Sequence, residues 1–169
     1  ASHAADYGVV TADVKPDFEK MVMRSRGVAD AMSKGIQFLF KKNNITVING
    51  SGKLKDNHTV TVNGIDGSTS EYTASHIILA TGARSRELPN LKQDGVKVIG
   101  YRQALTLPKQ PVSMLVVGSG AIGSEFAYFY NAIGTKVTLV EYLPNVVPLE
   151  DEEVSKTLER AFKKAGVGT

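Results

Sequence analysis

The 169-residue chain contains no cysteine. Within it, therefore, a disulfide scaffold, a thiolate metal site and thiol chemistry are excluded. It also lacks an apolar run near the length of a membrane span and a basic-then-apolar leader. The expectation is a soluble cytoplasmic chain with no membrane partner. Charge of one sign is scarce too. Twenty Lys and Arg against 17 Asp and Glu leave a net charge of +3, scattered along the chain, and make no basic stripe for nucleic acid. His3, His58 and His76 share no metal-ligand spacing, and the acidic run Glu150 to Glu153 reads as a helix start, so no metal is expected. Ser113, Ser119 and Ser124 have no histidine at a readable spacing, which leaves nucleophilic catalysis unsupported. No residue in the chain can be named as a general base. What the chain does have is 42 % hydrophobic residues, enough for a packed core.

The pattern changes three times along the chain. The first dozen residues read as an irregular approach. From Lys15 to about Asn44, Phe18, Val22, Ala29, Met32, Ile36, Leu39 and Phe40 recur at helical spacing, with acids at the start and Lys41-Lys42 in the last turn. Gly27 and Gly35 weaken that helix by roughly 1 kcal/mol each relative to Ala. ITVING, GKLKD, HTVTVNG and SEYTA then alternate as short β segments broken by Gly, Asn and Asp, which reads as an antiparallel meander. It ends in HIILATG, whose continuous apolar run fits a buried parallel strand. A proline-containing connector follows, with one helical turn expected at Arg102 to Leu105.

The last third reads as strand Ser113 to Val117, a glycine-rich turn, an apolar helix ending near Gly134, strand KVTLVE, a loop, and an amphipathic helix. A mononucleotide-binding half wants three parallel strands. Two are legible, and the unit is expected to be cut short.

Gly118, Gly120 and Gly123 form G-x-G-x-x-G between an apolar strand and an apolar helix. Each glycine has a reason: a tight turn, close approach of the backbone to a pyrophosphate, and close packing of helix on strand. The amides at the helix start face the phosphates. Glu141, at the end of the second strand, is placed to accept hydrogen bonds from the adenosine ribose. No arginine follows it in Tyr142-Leu143-Pro144, so NAD is favoured over NADP. Glu125 is either a carboxylate matched to the helix dipole or a charge beside the nicotinamide, and spacing leaves both open. Thr81-Gly82, at the expected strand end, is a second and weaker cofactor contact.

VVGSGAIGSEFAYFYNAIGTKVTLVE, preceded by ILATGARSRELP and by the long helix and meander, resembles the flavin-dependent pyridine nucleotide–disulfide oxidoreductases. The likeness runs from about His3 to the end of the chain and is greatest to the dihydrolipoamide-oxidising branch. It implies an α/β fold that is part of a flavoprotein with two dinucleotide-binding domains. Residues 1–90 would belong to the FAD domain, 91–112 to a connector and 113–169 to a truncated Rossmann-type NAD domain. Gly118, Ser119, Gly120, Ala121, Ile122 and Gly123 would hold the NAD pyrophosphate, Glu141 its ribose, and Glu125 would lie near the nicotinamide–flavin contact. Gly52, Thr81, Gly82 and Ala83 would touch FAD. The activity implied is relay of two electrons from dihydrolipoamide through a cysteine pair and flavin to NAD. A homodimer and a 2-oxoacid dehydrogenase complex would be the partners.

The resemblance also implies parts that this sequence does not contain: the C-x-x-x-x-C redox motif, the first glycine-rich FAD turn, the acid–base His-Glu pair and the dimer domain. The expectation is an internal segment, inactive alone, of a longer enzyme. The alternatives are a relative of the glutathione or mercuric reductase type, and a non-catalytic NAD-binding module.

Overall fold

The computed structural model describes residues 4–169. His3 lies outside them. The chain divides into two compact units, one made of residues 1–24 and 88–169 and the other of residues 25–87.

The second unit holds most of α1 (Phe18–Lys42) and the meander β1 (Gly50–Leu54), β2 (Thr59–Gly64) and β3 (Thr69–Thr73). Helix α1 starts where the Asp17 carboxylate accepts from the Lys20 N–H at 3.1 Å. It ends where Asn44 turns left-handed (φ 55°) and the Ile45 N–H reaches back to the Phe40 carbonyl at 2.9 Å. The apolar stripe read from the sequence is open: Met32, Ile36 and Leu39 are all at least half exposed. In the meander β1 pairs with β2 and β2 with β3, both antiparallel, with Gly52 opposite Val62 and Val62 opposite Ser70. The β2–β3 turn is closed by the Asp66 carboxylate, which accepts from the N–H and hydroxyl of Ser68.

Three expectations need correction here. ITVING contributes only its final glycine to a strand. HIILATG is not a strand at all, and Ile78 is 90 % exposed. A parallel strand takes all its backbone bonds from neighbours, and among the described residues no strand pairs with 76–82. The approach segment also differs from expectation, forming a short 3₁₀ turn, Ala4–Tyr7.

In the first unit, α2 (Tyr101–Ala104) is the single turn expected in the connector. It is followed by β4 (Ser113–Val117), α3 (Ala121–Ala132), β5 (Lys136–Val140) and α4 (Glu152–Ala165). Strands β4 and β5 are parallel, with Leu115 opposite Thr138, so β4–α3–β5 is a βαβ unit. Helix α3 stops at Gly134 (φ 99°), where the Thr135 N–H returns to the Tyr130 carbonyl. Helix α4 is capped by Asp151, which accepts from the Glu153 N–H, and closes at Gly166 in the left-handed region.

The parallel sheet has the two strands read from the sequence, and beyond α4 the chain returns to its edge. Gly168 donates to the Val137 carbonyl at 3.1 Å and accepts from the Leu139 N–H at 2.7 Å. It therefore forms an isolated parallel bridge with Thr138, on the edge of β5 away from β4. The core of the unit lies on one face of this sheet, where Val137 and Leu139 meet Ala127 and Tyr130 of α3 and Phe162 of α4. Phe18 stacks on the same cluster, its ring centroid 6.0 Å from that of Tyr130. No described helix is long and apolar enough to cross a membrane.

Candidate functional site

The glycine-rich turn is built by the register of β4 on β5. The Gly118 N–H donates to the Val140 carbonyl at 2.8 Å, extending the ladder one residue past β4. The chain then turns at Gly118 with φ 98°, a conformation that an L side chain resists. Gly120 is the N-cap of α3 and no side chain caps it. A Cβ there would meet nothing within 4 Å. The first-turn N–H groups that a helix leaves unpaired thus stand behind a glycine with open space before it, at the positive end of the helix. Gly123 is the contact point, because a Cβ there would overlap the Gly118 carbonyl. This is a cradle suited to a pyrophosphate: amides, dipole and no side chain in the way.

Glu141 closes the site from the end of β5. One of its carboxylate oxygens, Oε2, accepts from both the N–H and the hydroxyl of Ser119, each at 2.8 Å. The other, Oε1, accepts from the N–H groups of Tyr142 and Leu143 at 2.8 and 3.1 Å. These donors hold the carboxyl below its ordinary range, the Ser119 N–H contributing most, while partial burial opposes them. The group is ionised at neutral pH and its plane is fixed. Beside it, Tyr142 stands 97 % exposed and Leu143 and Pro144 are also exposed, so no cation flanks the acid on the chain that follows it.

Ser119 is fully buried and does more than face Glu141. Its hydroxyl and its carbonyl both accept from the Val147 N–H at 3.1 Å, and its carbonyl also accepts from the Ser124 hydroxyl at 2.9 Å. Val147 is itself tied by its carbonyl to the Ser155 hydroxyl of α4. It adopts φ 42°, which is strained for a β-branched residue, and it is buried. Sequence reasoning missed Val147, Ser124 and Ser155 as parts of this site. The readable trace was a serine directly after the first glycine with an acid 22 positions on.

The remaining candidates are placed differently. Glu125 stands exposed in α3, two residues past Gly123. Gly52, Thr81, Gly82 and Ala83 belong to the 25–87 unit. Thr81 to Ala83 are exposed outside any strand, and Gly52 is exposed in β1. A cavity of about 250 Å³ in that unit, lined by Ile48, Asn49, Val62, Asp66 and Tyr72 among others, includes none of the four. Among the described residues, no three His, Cys, Asp or Glu side chains gather as metal ligands.

Residues 4–169 match the family of pyridine nucleotide-disulphide oxidoreductases. The chain belongs to this family. Among curated members, the dihydrolipoyl dehydrogenase of Zymomonas mobilis is 44 % identical over 167 residues, covering 98 % of this chain and 35 % of that protein. The enzyme of the same name from Chlorobaculum parvum is 42 % identical, covering 99 % of this chain and 36 % of its own length. The chain thus spans little more than a third of these relatives. The crystal structure of LpdA from Mycobacterium tuberculosis superposes with a TM-score of 0.86 at 32 % identity, over 99 % of this chain and 37 % of that one. The flavoprotein disulfide reductase RclA of Escherichia coli superposes with a TM-score of 0.73 at 27 % identity, over 90 % of this chain and 35 % of that one. The fold is accordingly the family's α/β arrangement, present here in part.

Proposed function

We propose that this chain is an internal segment of an FAD-dependent enzyme that reoxidises dihydrolipoamide with NAD. The observation that carries the NAD assignment is the pairing of an uncapped, glycine-lined helix start with Glu141, whose carboxylate is held ionised beside it. In this reading Gly118, Ser119, Gly120, Ala121, Ile122 and Gly123 present the turn and its amides to the pyrophosphate. Glu141 accepts from the adenosine ribose hydroxyls and repels a 2′-phosphate. Glu125 lies toward the nicotinamide end in a supporting role. NAD, when bound, supplies the hydride acceptor.

The flavin assignment rests on the family and on the 42–44 % identity to dihydrolipoyl dehydrogenases. Gly52, Thr81, Gly82 and Ala83 are its proposed contacts. Residues 1–90 are assigned to the FAD domain, 91–112 to a connector and 113–169 to the NAD domain. The parent enzyme is a cytoplasmic homodimer that serves a 2-oxoacid dehydrogenase complex. The segment alone lacks cysteine and has no turnover of its own. A second reading, a relative with a different disulfide or metal-ion substrate, draws on the similarity to RclA, which is lower in both identity and TM-score.

The test is steady-state assay of the flavin-loaded parent enzyme with dihydrolipoamide and NAD. NADH formation is expected, with little when NADP replaces NAD. Turnover of another disulfide in place of dihydrolipoamide would favour the second reading.

A further inference from the structure

We propose that Ser119 is a positioning residue that sets the direction of the Glu141 carboxylate, and thereby the discrimination between a free and a phosphorylated 2′-hydroxyl on the dinucleotide. The proposal rests on the NAD reading above. Its ground is the arrangement of donors around two atoms. The Ser119 hydroxyl accepts from the Val147 N–H, so its own proton is directed at Glu141 Oε2, 2.8 Å away. Ser119 is fully buried, which leaves its side chain no water to turn toward. Its anchor, Val147, is locked in a strained conformation and tied to Ser155 on α4. The three other donors to Glu141 are backbone N–H groups set by the turn and by the start of the loop. Of the four, the Ser119 hydroxyl is the one that a side-chain substitution can remove. The hydroxyl is the second donor on Oε2 beside the Ser119 N–H, so with it in place Oε2 cannot swing toward a ligand without breaking two charge-assisted bonds rather than one.

The experiment is a double-mutant cycle in the flavin-loaded parent enzyme, with Ser119→Ala, Glu141→Gln and the pair. The readouts are the KM for NAD, the NAD-to-NADP preference, and the KM for dihydrolipoamide as an internal control. Ser119→Ala is expected to raise the KM for NAD about tenfold, as for loss of a hydrogen bond to a charged group. The preference for NAD over NADP should fall, and the KM for NAD should move more than kcat or the KM for dihydrolipoamide. In the Glu141→Gln background the same substitution should change little, because Ser119 acts through that carboxylate. An equal effect of Ser119→Ala in both backgrounds would make it a structural residue of the turn and overturn the proposal. Unchanged or tighter NAD binding by Ser119→Ala would overturn it too, while leaving the NAD reading standing. Should the alanine variant not fold, Ser119→Gly is read in the same way, and failure of both to fold would overturn the positioning role. A wild-type enzyme that does not use NAD at all would instead refute the underlying reading, and the proposal with it.

Discussion

A Cβ on Gly123 would overlap the carbonyl oxygen of Gly118, the residue that turns the chain out of β4. The two glycines therefore depend on each other: the left-handed turn at Gly118 brings its carbonyl against the first turn of α3, and only a residue without a side chain tolerates it there. The crowding atom is backbone, so relief requires the turn or the helix to move.

Gly123→Ala is accordingly expected to destabilise the β4–α3–β5 unit by about 1–3 kcal/mol, the usual range for overpacking. It should also weaken NAD binding, because the displaced amides are those proposed to meet the pyrophosphate. Denaturant unfolding and NAD titration of the variant check both. By contrast Gly120→Ala, where a Cβ meets open space, should leave stability nearly unchanged and affect NAD binding alone.

This contrast also marks how far the sequence could be read. Strands β4 and β5 and helices α3 and α4 were legible because their signals are local: an apolar strand, glycines at fixed spacing, acids before and lysines after a helix. HIILATG was misread because a buried parallel strand is defined by its neighbours, and its apolar run is the same whether or not they are present. The bridge at Gly168 was hidden for the opposite reason, since two hydrogen bonds to β5 define it and no periodicity does. Around the candidate site, Glu141 and the glycines followed from spacing. The positive φ of Val147 did not, because a valine gives no local reason to turn left-handed.

Tyr130 offers a second test. It is buried among Phe18, Phe126 and Phe129, and its hydroxyl donates to the Ala104 carbonyl at 2.6 Å, tying α3 to the connector. Tyr130→Phe keeps the ring packing and loses that bond, so a cost of about 1 kcal/mol is expected at neutral pH. Burial raises the phenol above its ordinary value of 10.0. A group raised in the folded state contributes its stability below the unfolded value and loses it as pH rises through the folded one. The wild-type advantage should therefore shrink above pH 10, measured as the difference in thermal midpoint between the two proteins.

Glu141 has the opposite sign. Its folded carboxyl lies below the ordinary 4.5, chiefly through the Ser119 N–H and the backbone N–H of Leu143. The stability it contributes is present above that value and lost as pH falls through the lowered one. Glu141→Gln should thus be less stable than wild type at neutral pH and approach it in acid. Paired urea titrations at neutral and acidic pH would reveal the convergence. A constant gap would mean that the amide is penalised for its shape rather than for its missing charge.

The sheet of the first unit is covered on one face only. On the other, Leu115 is 63 % exposed and Val117 and Val140 are nearly half exposed. Parallel sheets are ordinarily covered on both faces, so if the chain is a segment of a longer enzyme, as proposed, these side chains are expected to lie under further structure there. One substitution should then act in opposite directions in two settings. In the 169-residue chain alone, Leu115→Asp removes part of an open apolar patch and should raise solubility and reduce binding of a hydrophobic dye. In the parent enzyme the same carboxylate would be buried without a partner, and a loss of stability of about 2 kcal/mol or more is expected. A substitution harmless in both settings would show that this face is solvated in the longer protein too.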